Sequence, residues 1–387
     1  MKKLIILFLS ILMLGVGFTA HKTVVLADEG FTCTGKSCYL MDYDSGYVIF
    51  SKNENKRLPI ASMTKIMLLD IVFDNVESGK LSMDQSITIS ENAKNMGGSQ
   101  VFLQSGGKYL AKDLVKSVII ASANDASVAL AEEIAGTEDD FVTLMNEKAK
   151  KMGLLDTLFS NCTGLPKATQ YSSAKDVALM LKSLLRHDLY YDYSKIWLDE
   201  IVHPDGSVTS LTNTNKLTKF YEGCDGGKTG FTNEAKFCLA TTAKRGDTRL
   251  IAVTIGEESS KQRFASVSAM LNTAFSKYVS KVVVDKNVAC DEKLAVLGGK
   301  QEEISVFADK NLTVFCKKGE KPNYTVSVVC DKKVRAPLKK GQAVGEIILY
   351  VDGVEYGKAN LISRCDVLKA SYGDSFNKAS RNWQIID

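Results

Sequence analysis

The sequence predicts an α/β fold in which helices pack on one antiparallel sheet, followed by a small all-β domain. Three observations lead to this prediction. Apolar strands lie near both ends of residues 38–280, helical stretches fill the middle of that region, and only short strands occur after about Lys281. The chain has 387 residues, which is enough for about two or three domains.

Composition favours a folded chain and gives no hint of a polyanionic partner. Apolar residues make up 45% and charged residues 24%, both ordinary for a protein that buries a core. Lysine and arginine number 49 against 45 acidic residues, a net charge of +4 with no basic run. We therefore expect no nucleic-acid partner.

The N-terminus predicts export. Lys2 and Lys3 precede the apolar stretch Leu4–Ala20, and small residues occupy the cleavage positions that end at Ala27. We predict a signal peptide over residues 1–27 and an extracytoplasmic protein at the cell envelope, or secreted. An uncleaved anchor is the alternative, because the apolar run is near the lower limit of about 17–25 residues for a spanning helix.

The nine cysteines are an odd number, so outside the membrane at least one thiol is left over or bonds to another molecule. Burial as small apolar side chains is the equal alternative to disulfides. Four of them lie after residue 285 and could form two bridges: Cys290, Cys316, Cys330 and Cys365. With no CxxC pair and only three histidines, we expect no metal site and no cofactor.

The first elements are a hairpin and an unusual helix. Turn residues at 44–46 separate two apolar stretches within Cys38–Ser51, which predicts a hairpin. A helix is predicted to start at Ser62 and to end before Gly79, a typical C-cap residue. Its residues are apolar on every side, so we expect it at the centre of a domain.

Helices and strands then follow in an order that closes the sheet. The further predicted helices are Leu110–Ser122, Ala126–Ile134, Asp176–Leu185 and Gln262–Tyr278. Two strands are predicted within Tyr221–Lys244 and one over Leu250–Ile255. The first and last strands should therefore meet in one sheet that spans a catalytic domain of residues 28–280.

Residues 281–368 predict the all-β domain, and residues 369–387 a tail. Predicted strands are Ile304–Phe307, Leu312–Phe315, Tyr324–Val329, Val344–Val351 and Leu361–Ile362. The tail carries apolar residues at helical spacing: Phe376, Ala379, Trp383 and Ile386. An amphipathic helix on a membrane surface is one interpretation, but a polar face with only Lys378 and Arg381 favours docking on the protein or a frayed end.

The motif Ser62-Met63-Thr64-Lys65 pairs a hydroxyl with an amine one helical turn away. A lysine at the edge of an apolar core loses solvation, which lowers its pKa. A neutral amine can then take the proton of a neighbouring serine and make it a nucleophile. An N-cap serine beside an exposed lysine is the structural alternative.

Two further motifs lie far along the chain. Ser122-Ala123-Asn124 falls at a break between two predicted helices, where polar side chains can point into a cleft, although Ser and Asn are also ordinary caps. Lys228-Thr229-Gly230 lies on a glycine-rich strand that an extended peptide could approach closely. Lys228 would place positive charge near a substrate carboxylate, and Thr229 a hydroxyl donor.

Taken together and in this order, the SxxK, SxN and KTG motifs resemble the signature of penicillin-binding proteins and serine β-lactamases. Other segments are similar to the low-molecular-mass D-alanyl-D-alanine carboxypeptidases: Arg57–Ser62, Ile119–Ala126, Asn161–Pro166 and Asp225–Thr232. The resemblance is close over about residues 30–280, and the all-β domain matches the layout of that family less specifically.

The resemblance implies a mechanism and a substrate. Ser62 would attack the carbonyl of a terminal D-Ala–D-Ala bond in a peptidoglycan stem peptide, Lys65 would act as its base, and Ser122 would pass the proton to the leaving amine. It implies acylation by β-lactams at Ser62 as well. The implied binding residues are Asn124, Lys228, Thr229, Gly230, Phe231 and Arg263. The N–H groups of Ser62 and Phe231 would form the oxyanion hole.

Three rivals share parts of this signature. A class A β-lactamase needs a glutamate ahead of a Leu-Asn pair, and residues 156–164 contain no glutamate. A wall-binding module without turnover would be expected to lack part of a motif, and none is missing. A transpeptidase that passes the acyl group to an amine shares every named residue.

Overall fold

The computed structural model describes residues 30–330, 333–374 and 376. The predicted signal peptide, 1–27, lies outside the described residues, as do Ala379, Trp383 and Ile386 of the predicted tail helix. The described chain confirms the predicted fold class: an antiparallel sheet with helices packed on it, followed by a region of strands.

The strands of the first region form one main sheet and two separate strand pairs. They are β1 (Ser37–Asp42), β2 (Val48–Lys52), β3 (Ser86–Thr88), β4 (Lys108–Leu110), β5 (Leu198–Val202), β6 (Val208–Thr212), β7 (Cys224–Thr232), β8 (Lys236–Arg245) and β9 (Thr248–Glu257). Five of them form an antiparallel sheet in the order β2-β1-β9-β8-β7, while β3 pairs with β4 and β5 with β6. The N-terminal strand β1 pairs with β9 along its whole length, as predicted, and β7 lies at an edge of the sheet.

The helices fill the middle and the end of this region. They are α1 (Lys65–Glu77), α2 (Glu91–Lys94), α3 (Ala111–Ile120), α4 (Asn124–Ala135), α5 (Glu138–Lys151), α6 (Ala174–Leu184), α7 (Tyr190–Ser194), α8 (Leu217–Phe220) and α9 (Ser260–Lys277). Serine N-caps start two of the longer ones, since Ser173 accepts from the Asp176 N–H and Ser259 from the Gln262 N–H.

Helices cover both faces of the sheet. Successive side chains of a strand point to opposite faces, so Leu40 packs with Leu271 of α9, whereas Met41 belongs to the larger core built around α1. Every residue of α1 from Lys65 to Phe73 is buried, which confirms the prediction of a central helix. This helix brings the SxxK motif into the interior of the domain.

The second region is built of strands alone. They are β10 (Tyr278–Val284), β11 (Ala289–Leu297), β12 (Glu303–Ala308), β13 (Leu312–Lys317), β14 (Tyr324–Cys330), β15 (Lys333–Arg335), β16 (Ala343–Val351) and β17 (Val354–Ser363). Six form a sheet in the order β14-β16-β17-β12-β11-β15, and β10 pairs with β13. Strand β17 is longer than predicted because its polar first half also pairs with β16. A core of its own lies between these strands.

Both predicted states of the cysteines, disulfide-bonded and buried as thiols, occur in the described chain. Cys33 and Cys38 form a disulfide at the start of β1. The two-bridge arrangement in the second region is wrong, because Cys316, Cys330 and Cys365 are not disulfide-bonded. Apolar side chains of this region form a core of their own, which is an alternative source of stability to cross-links. Within the described chain, no helix has both the length and the apolar character needed to span a membrane.

Candidate active site

Ser62 and Lys65 lie in contact at the entrance to the central helix. Contrary to prediction, Ser62 is not in the first α-helical turn: Ala61–Thr64 form a 3-10 turn, and α1 begins at Lys65. Ala61, the first residue of this turn, has a left-handed φ of 48°. Lys65 Nζ lies 3.2 Å from Ser62 Oγ, so the predicted pairing of amine and hydroxyl is present.

Two buried oxygen atoms contact the amine of Lys65. Its Nζ lies 2.6 Å from Asn124 Oδ1 and 2.5 Å from the carbonyl oxygen of Thr163. Lys65 is fully buried, and burial lowers the pKa of its ammonium group to about 7. The carboxylates of Asp125 and Glu138 oppose this shift without cancelling it.

The contacts of Lys65 suit either protonation state of its amine. An ammonium would donate to all three oxygens, whereas a neutral lysine has two N–H bonds and one lone pair. In the neutral form, which burial favours, the two short contacts to Asn124 and Thr163 use both N–H bonds. The lone pair then faces the third neighbour, Ser62 Oγ, and can accept its proton.

Ser122 and Asn124 enter the site from a break between α3 and α4. The predicted helix over Leu110–Ser122 ends earlier, at Ile120, because Ser122 adopts a left-handed φ of 63°. Its hydroxyl accepts a hydrogen bond of 2.7 Å from Lys228 Nζ. Ser122 therefore links the SxN motif to the KTG motif.

Neighbouring groups fix the position of Asn124. Its Nδ2 donates to the carbonyl of Gly97 at 2.6 Å. The buried carboxylate of Asp125 accepts from the N–H groups of Val101 and Leu103, each at 3.1 Å. The segment 97–103 thus forms one wall of the site, which the sequence analysis missed. The acidic residue directly after the SxN motif, Asp125, is the one feature of the sequence that could have indicated this contact.

The KTG segment lies on the edge strand β7, next to the turn that carries Ser62. A Cβ added at Gly230 would come within 2.6 Å of the Ile60 carbonyl oxygen and 3.3 Å of the Ser62 nitrogen, so glycine permits this close approach. Lys228 is buried, and burial, followed by the charges of Lys65 and Arg263, holds the pKa of Lys228 well below its usual range. All three motifs therefore converge on one place.

A second glycine lies on the other side of the same turn. Asn161 Oδ1 accepts from the Gly164 N–H at 2.7 Å and shapes the segment that supplies the Thr163 carbonyl. Gly164 has a φ of 84°, and a Cβ there would overlap the carbonyl oxygen of Ala61. The backbone of Ala61 and Ser62 is therefore held between Gly164 and Gly230.

The remaining predicted binding residues lie around the end of β7. Arg263 of α9 is buried, and its Nη1 donates to the carbonyls of Gly230 (3.1 Å) and Cys238 (3.4 Å). Its contact with substrate stays a prediction. Thr229 is almost buried, whereas Phe231 is half exposed with its ring 4.4 Å from that of Phe237.

One group of possible metal ligands lies away from this site among the described residues, at Asp70, Asp74 and His187. Lys148 Nζ already lies 2.6 Å from a carboxylate oxygen of each aspartate. His187 Nε2 lies 3.0 Å from Asp70 Oδ1, and its Nδ1 lies 2.6 Å from Glu77 Oε1. These contacts form an ion-pair network that ties the middle of α1 to its neighbours.

Comparison with known proteins agrees with this geometry. The family model for D-alanyl-D-alanine carboxypeptidases matches residues 22–259. The chain belongs to the D-alanyl-D-alanine carboxypeptidase family. A model of the C-terminal domain of penicillin-binding protein 5 matches residues 278–369.

Individual members of this family match most of the chain. The carboxypeptidase DacF of Bacillus subtilis is 40% identical over 349 residues, which is 90% of each chain. DacC of Escherichia coli is 33% identical over 357 residues, covering 89% of this chain and 86% of DacC. The structure of penicillin-binding protein 5 from Haemophilus influenzae superposes with a TM-score of 0.67 at 29% identity, over 87% of this chain and 98% of that one. The chain is thus a serine-type peptidase of this family.

The close approach at Gly164 gives a prediction for stability. Gly164→Ala should lower the free energy of unfolding by more than Gly136→Ala, because only the first adds a steric overlap, with Ala61. Gly136 is a matched control, since its φ is 85° and a Cβ there would meet nothing within 4 Å. We expect about 1 kcal/mol of backbone strain for Gly136→Ala and at least about 2 kcal/mol for Gly164→Ala, measured by urea unfolding. Equal losses would show that the turn tolerates a side chain at 164.

Proposed function

We propose that this chain is a serine D-alanyl-D-alanine carboxypeptidase that removes the terminal D-alanine from peptidoglycan stem peptides. The observation that carries the proposal is the contact of a buried, weakly basic Lys65 with the partly exposed hydroxyl of Ser62. The convergence of Ser122 and Lys228 on the same place supports it. We expect β-lactams to acylate Ser62, because they present a strained amide to the same nucleophile.

The first half of the proposed reaction forms an acyl-enzyme. Lys65 Nζ accepts the proton of Ser62, whose Oγ attacks the carbonyl carbon between the two D-alanines. The N–H groups of Ser62 and Phe231 stabilise the negative oxygen of the tetrahedral intermediate. The C–N bond then breaks as Ser122 passes its proton to the leaving amine and regains one from the Lys65 ammonium, so that D-alanine departs and Lys65 is neutral again.

The second half returns the enzyme to its starting state. A water molecule attacks the ester carbon and loses a proton to the Lys65 amine. The C–O bond to Ser62 then breaks, Ser62 Oγ takes that proton back from Lys65, and the shortened peptide leaves. Lys65 therefore serves as base in both halves, which requires a pKa near that of the medium.

Residues of strand β7 and of the elements next to it bind the substrate. Lys228 and Thr229 bind the terminal carboxylate, and the arriving anion would restore the positive charge that burial disfavours on Lys228. Asn124 holds both the substrate amide and Lys65. Arg263 adds positive charge behind Gly230 and keeps that part of β7 in place.

We also propose how the chain is organised in the cell. Residues 1–27 direct export, residues 28–280 form the catalytic domain and residues 281–368 a separate β domain, so that the enzyme works outside the cytoplasmic membrane. The described residues 369–374 begin the tail, for which we favour docking on the protein or a frayed end over a helix on a membrane surface. The matched family ranges support the division near residue 280.

Incubation of the purified protein with labelled penicillin tests the nucleophile. We expect a covalent adduct of one penicillin on Ser62 by intact-mass and peptide mass spectrometry, and none in Ser62→Ala. Ser172→Ala is a control, since Ser172 is also followed by a lysine three residues later, but its hydroxyl is hydrogen-bonded to Thr157 and not to Lys65. An unmodified wild-type protein would contradict the proposed function.

A second assay with a pentapeptide ending in D-Ala–D-Ala separates the related activities. Free D-alanine with a shortened peptide supports the carboxypeptidase. A peptide joined to an added amine would identify a transpeptidase. Rapid loss of penicillin without release of D-alanine would identify a β-lactamase.

The pKa of Lys65 gives a prediction for pH dependence. The neutral amine is the base, so the rate constant of acylation should rise with pH through about 7 and then level off. Stopped-flow or gel-based acylation rates between pH 5.5 and 8.5 measure this. Lys150→Gln, an exposed change on α5, should keep the profile, whereas Lys65→Ala should slow acylation by about 10²–10⁴ with little change in binding. A rate that is flat across this range would exclude Lys65 as the base.

A further inference from the structure

A cavity of about 530 Å³ lies where the first region of the chain meets the second. The first region contributes the turn after β1, with Tyr43 and Asp44, and the C-terminal part of α6. The second region contributes the turn before β13, around Lys310, and the first half of β17. The volume is within the range of about 300–1,000 Å³ that small-molecule sites occupy. None of the lining residues belongs to the SxxK, SxN or KTG motifs, so the mechanism above makes no use of this cavity.

Contacts between the two regions fix the walls of this cavity. The ring of Phe315 in β13 stacks 5.2 Å from that of Tyr278 and lies 5.5 Å from that of Tyr47 in the first region. Phe315 also belongs to the core cluster that contains Leu40 and the buried side of α9. Because this contact is buried, it holds the two walls of the cavity in a defined position relative to each other.

The walls carry an excess of positive charge. Lys182 and Arg186 come from the first region, and Lys310 and Lys358 from the second, against the one carboxylate of Asp44. The lining therefore has three more positive than negative charges, whereas the whole chain of 387 residues has a net charge of only +4. A cleft lined by one sign of charge focuses the electric field and attracts a ligand of the opposite sign.

Neutral groups contact the two cations of the first region. Lys182 Nζ lies 3.5 Å from the backbone carbonyl oxygen of Asp44 and 5.6 Å from the centre of the Tyr43 ring. Arg186 donates from Nε to the Ser183 carbonyl at 3.2 Å and from Nη2 to the Ser183 hydroxyl at 3.1 Å. These contacts orient both side chains, and neither side chain forms an ion pair with another described residue.

The two cations of the second region are also available to a ligand. Lys310 forms no ion pair with any residue that the structure describes, and the ion pair of Lys358 with Glu346 is 4.0 Å long. Burial lowers the pKa of the Lys182 ammonium, and the charge of Lys310 adds to this shift against the opposing effect of two carboxylates. Lys182 and Lys310 therefore repel each other across the boundary between the regions. An anion placed between them would be attracted by both regions at once.

The chemistry of the walls indicates phosphate groups. The planar guanidinium of Arg186 and the ammonium groups of the lysines are the side chains that proteins use to bind phosphate. Each wall supplies two of these cations, which is enough to hold one phosphate on each side.

The rest of the lining indicates a ligand that is soluble in water and has a short carbon chain. Leu179, Leu312 and Tyr356 add apolar surface that a carbon linker can contact. None of the large apolar side chains that line the cavity is exposed. The rim therefore offers no apolar side chain for insertion into a membrane, which argues against a lipid headgroup as the ligand.

We propose that this cavity binds a water-soluble ligand in which a short carbon linker joins two phosphate groups, and that the bound ligand bridges the two regions of the chain. Lys182 and Arg186 bind one phosphate, and Lys310 and Lys358 bind the other. The bound ligand stabilises the contact between the regions. The inference does not rest on the proposed function, because the cavity shares no residue with the site around Ser62.

Three ligands with the same number of carbons test the proposal by isothermal titration calorimetry on the full chain at low ionic strength. Propane-1,3-diol bisphosphate carries two phosphates, propyl phosphate carries one, and propane-1,3-dicarboxylate carries two carboxylates. We expect one bisphosphate to bind per chain, at least about tenfold more tightly than either of the other ligands. Equal affinity for all three, or no binding of the bisphosphate, would overturn the inference.

Substitutions on each wall test the bridge. Arg186→Gln and Lys310→Gln should each weaken binding of the bisphosphate about three- to fivefold, because each removes one exposed cation. Lys150→Gln in the first region and Lys318→Gln in the second are matched controls, since both lysines are exposed and lie outside the cavity lining. The controls should bind as wild type does. A loss confined to one wall would show that the ligand does not bridge the regions.

Vesicles of phosphatidylglycerol test the lipid as an alternative source of phosphate. Sedimentation with these vesicles should be the same for wild type, Arg186→Gln and Lys310→Gln. Vesicle binding that is lost in both variants would assign the cavity to a membrane surface and would overturn the inference.

Penicillin acylation keeps this inference separate from the proposed function. All four variants should be acylated at the wild-type rate, because none of the substituted residues lies in the site around Ser62. A wild type that binds the bisphosphate but takes up no penicillin would contradict the proposed function and leave this inference standing. A wild type that is acylated but does not bind the bisphosphate would overturn this inference alone.

Discussion

The desolvation of one amine is the constraint on which the site depends. Lys65 can remain uncharged near neutral pH only because α1 is buried on all sides and keeps water from its first residue. The same burial demands that both N–H bonds of the amine find acceptors, which Asn124 and Thr163 provide. A charged ammonium would favour the same oxygens but would have no lone pair for Ser62.

Close backbone contacts bring the other motifs to this amine. Gly164 and Gly230 hold the turn at Ala61 and Ser62 from two sides, and neither position has space for a Cβ. Ala61 and Ser122 both adopt left-handed backbone conformations, which cost about 1–3 kcal/mol each. The buried helix, the edge strand and the segment 161–165 together offset this strain. The stability of the domain is thus partly used to hold Ser62 and Ser122 in place.

Most of the correct predictions came from local patterns in the sequence. The apolar residues of α1 and the order of strands led to the correct sheet, because periodicity and turn residues are local properties. The acceptor at Thr163 was not predictable, since a backbone carbonyl has no signature in the sequence and contacts Lys65 across a long stretch of chain. The Cys33–Cys38 disulfide could not be chosen among nine cysteines, because a sequence alone does not determine which cysteines pair. The early end of α3 was not predictable either, because a serine with a positive φ, such as Ser122, is uncommon and cannot be recognised from the sequence.

Direct titration of Lys65 tests the central claim. NMR of the intact protein with ¹³C-labelled lysine side chains would follow the carbon next to each amine from pH 5 to 11, and loss of one signal in Lys65→Met would assign it. We predict a midpoint at about 7 for Lys65, well below the ordinary lysine value of about 10.4. A Lys65 signal that titrates near that ordinary value would show that the amine is charged at neutral pH and would contradict its role as base.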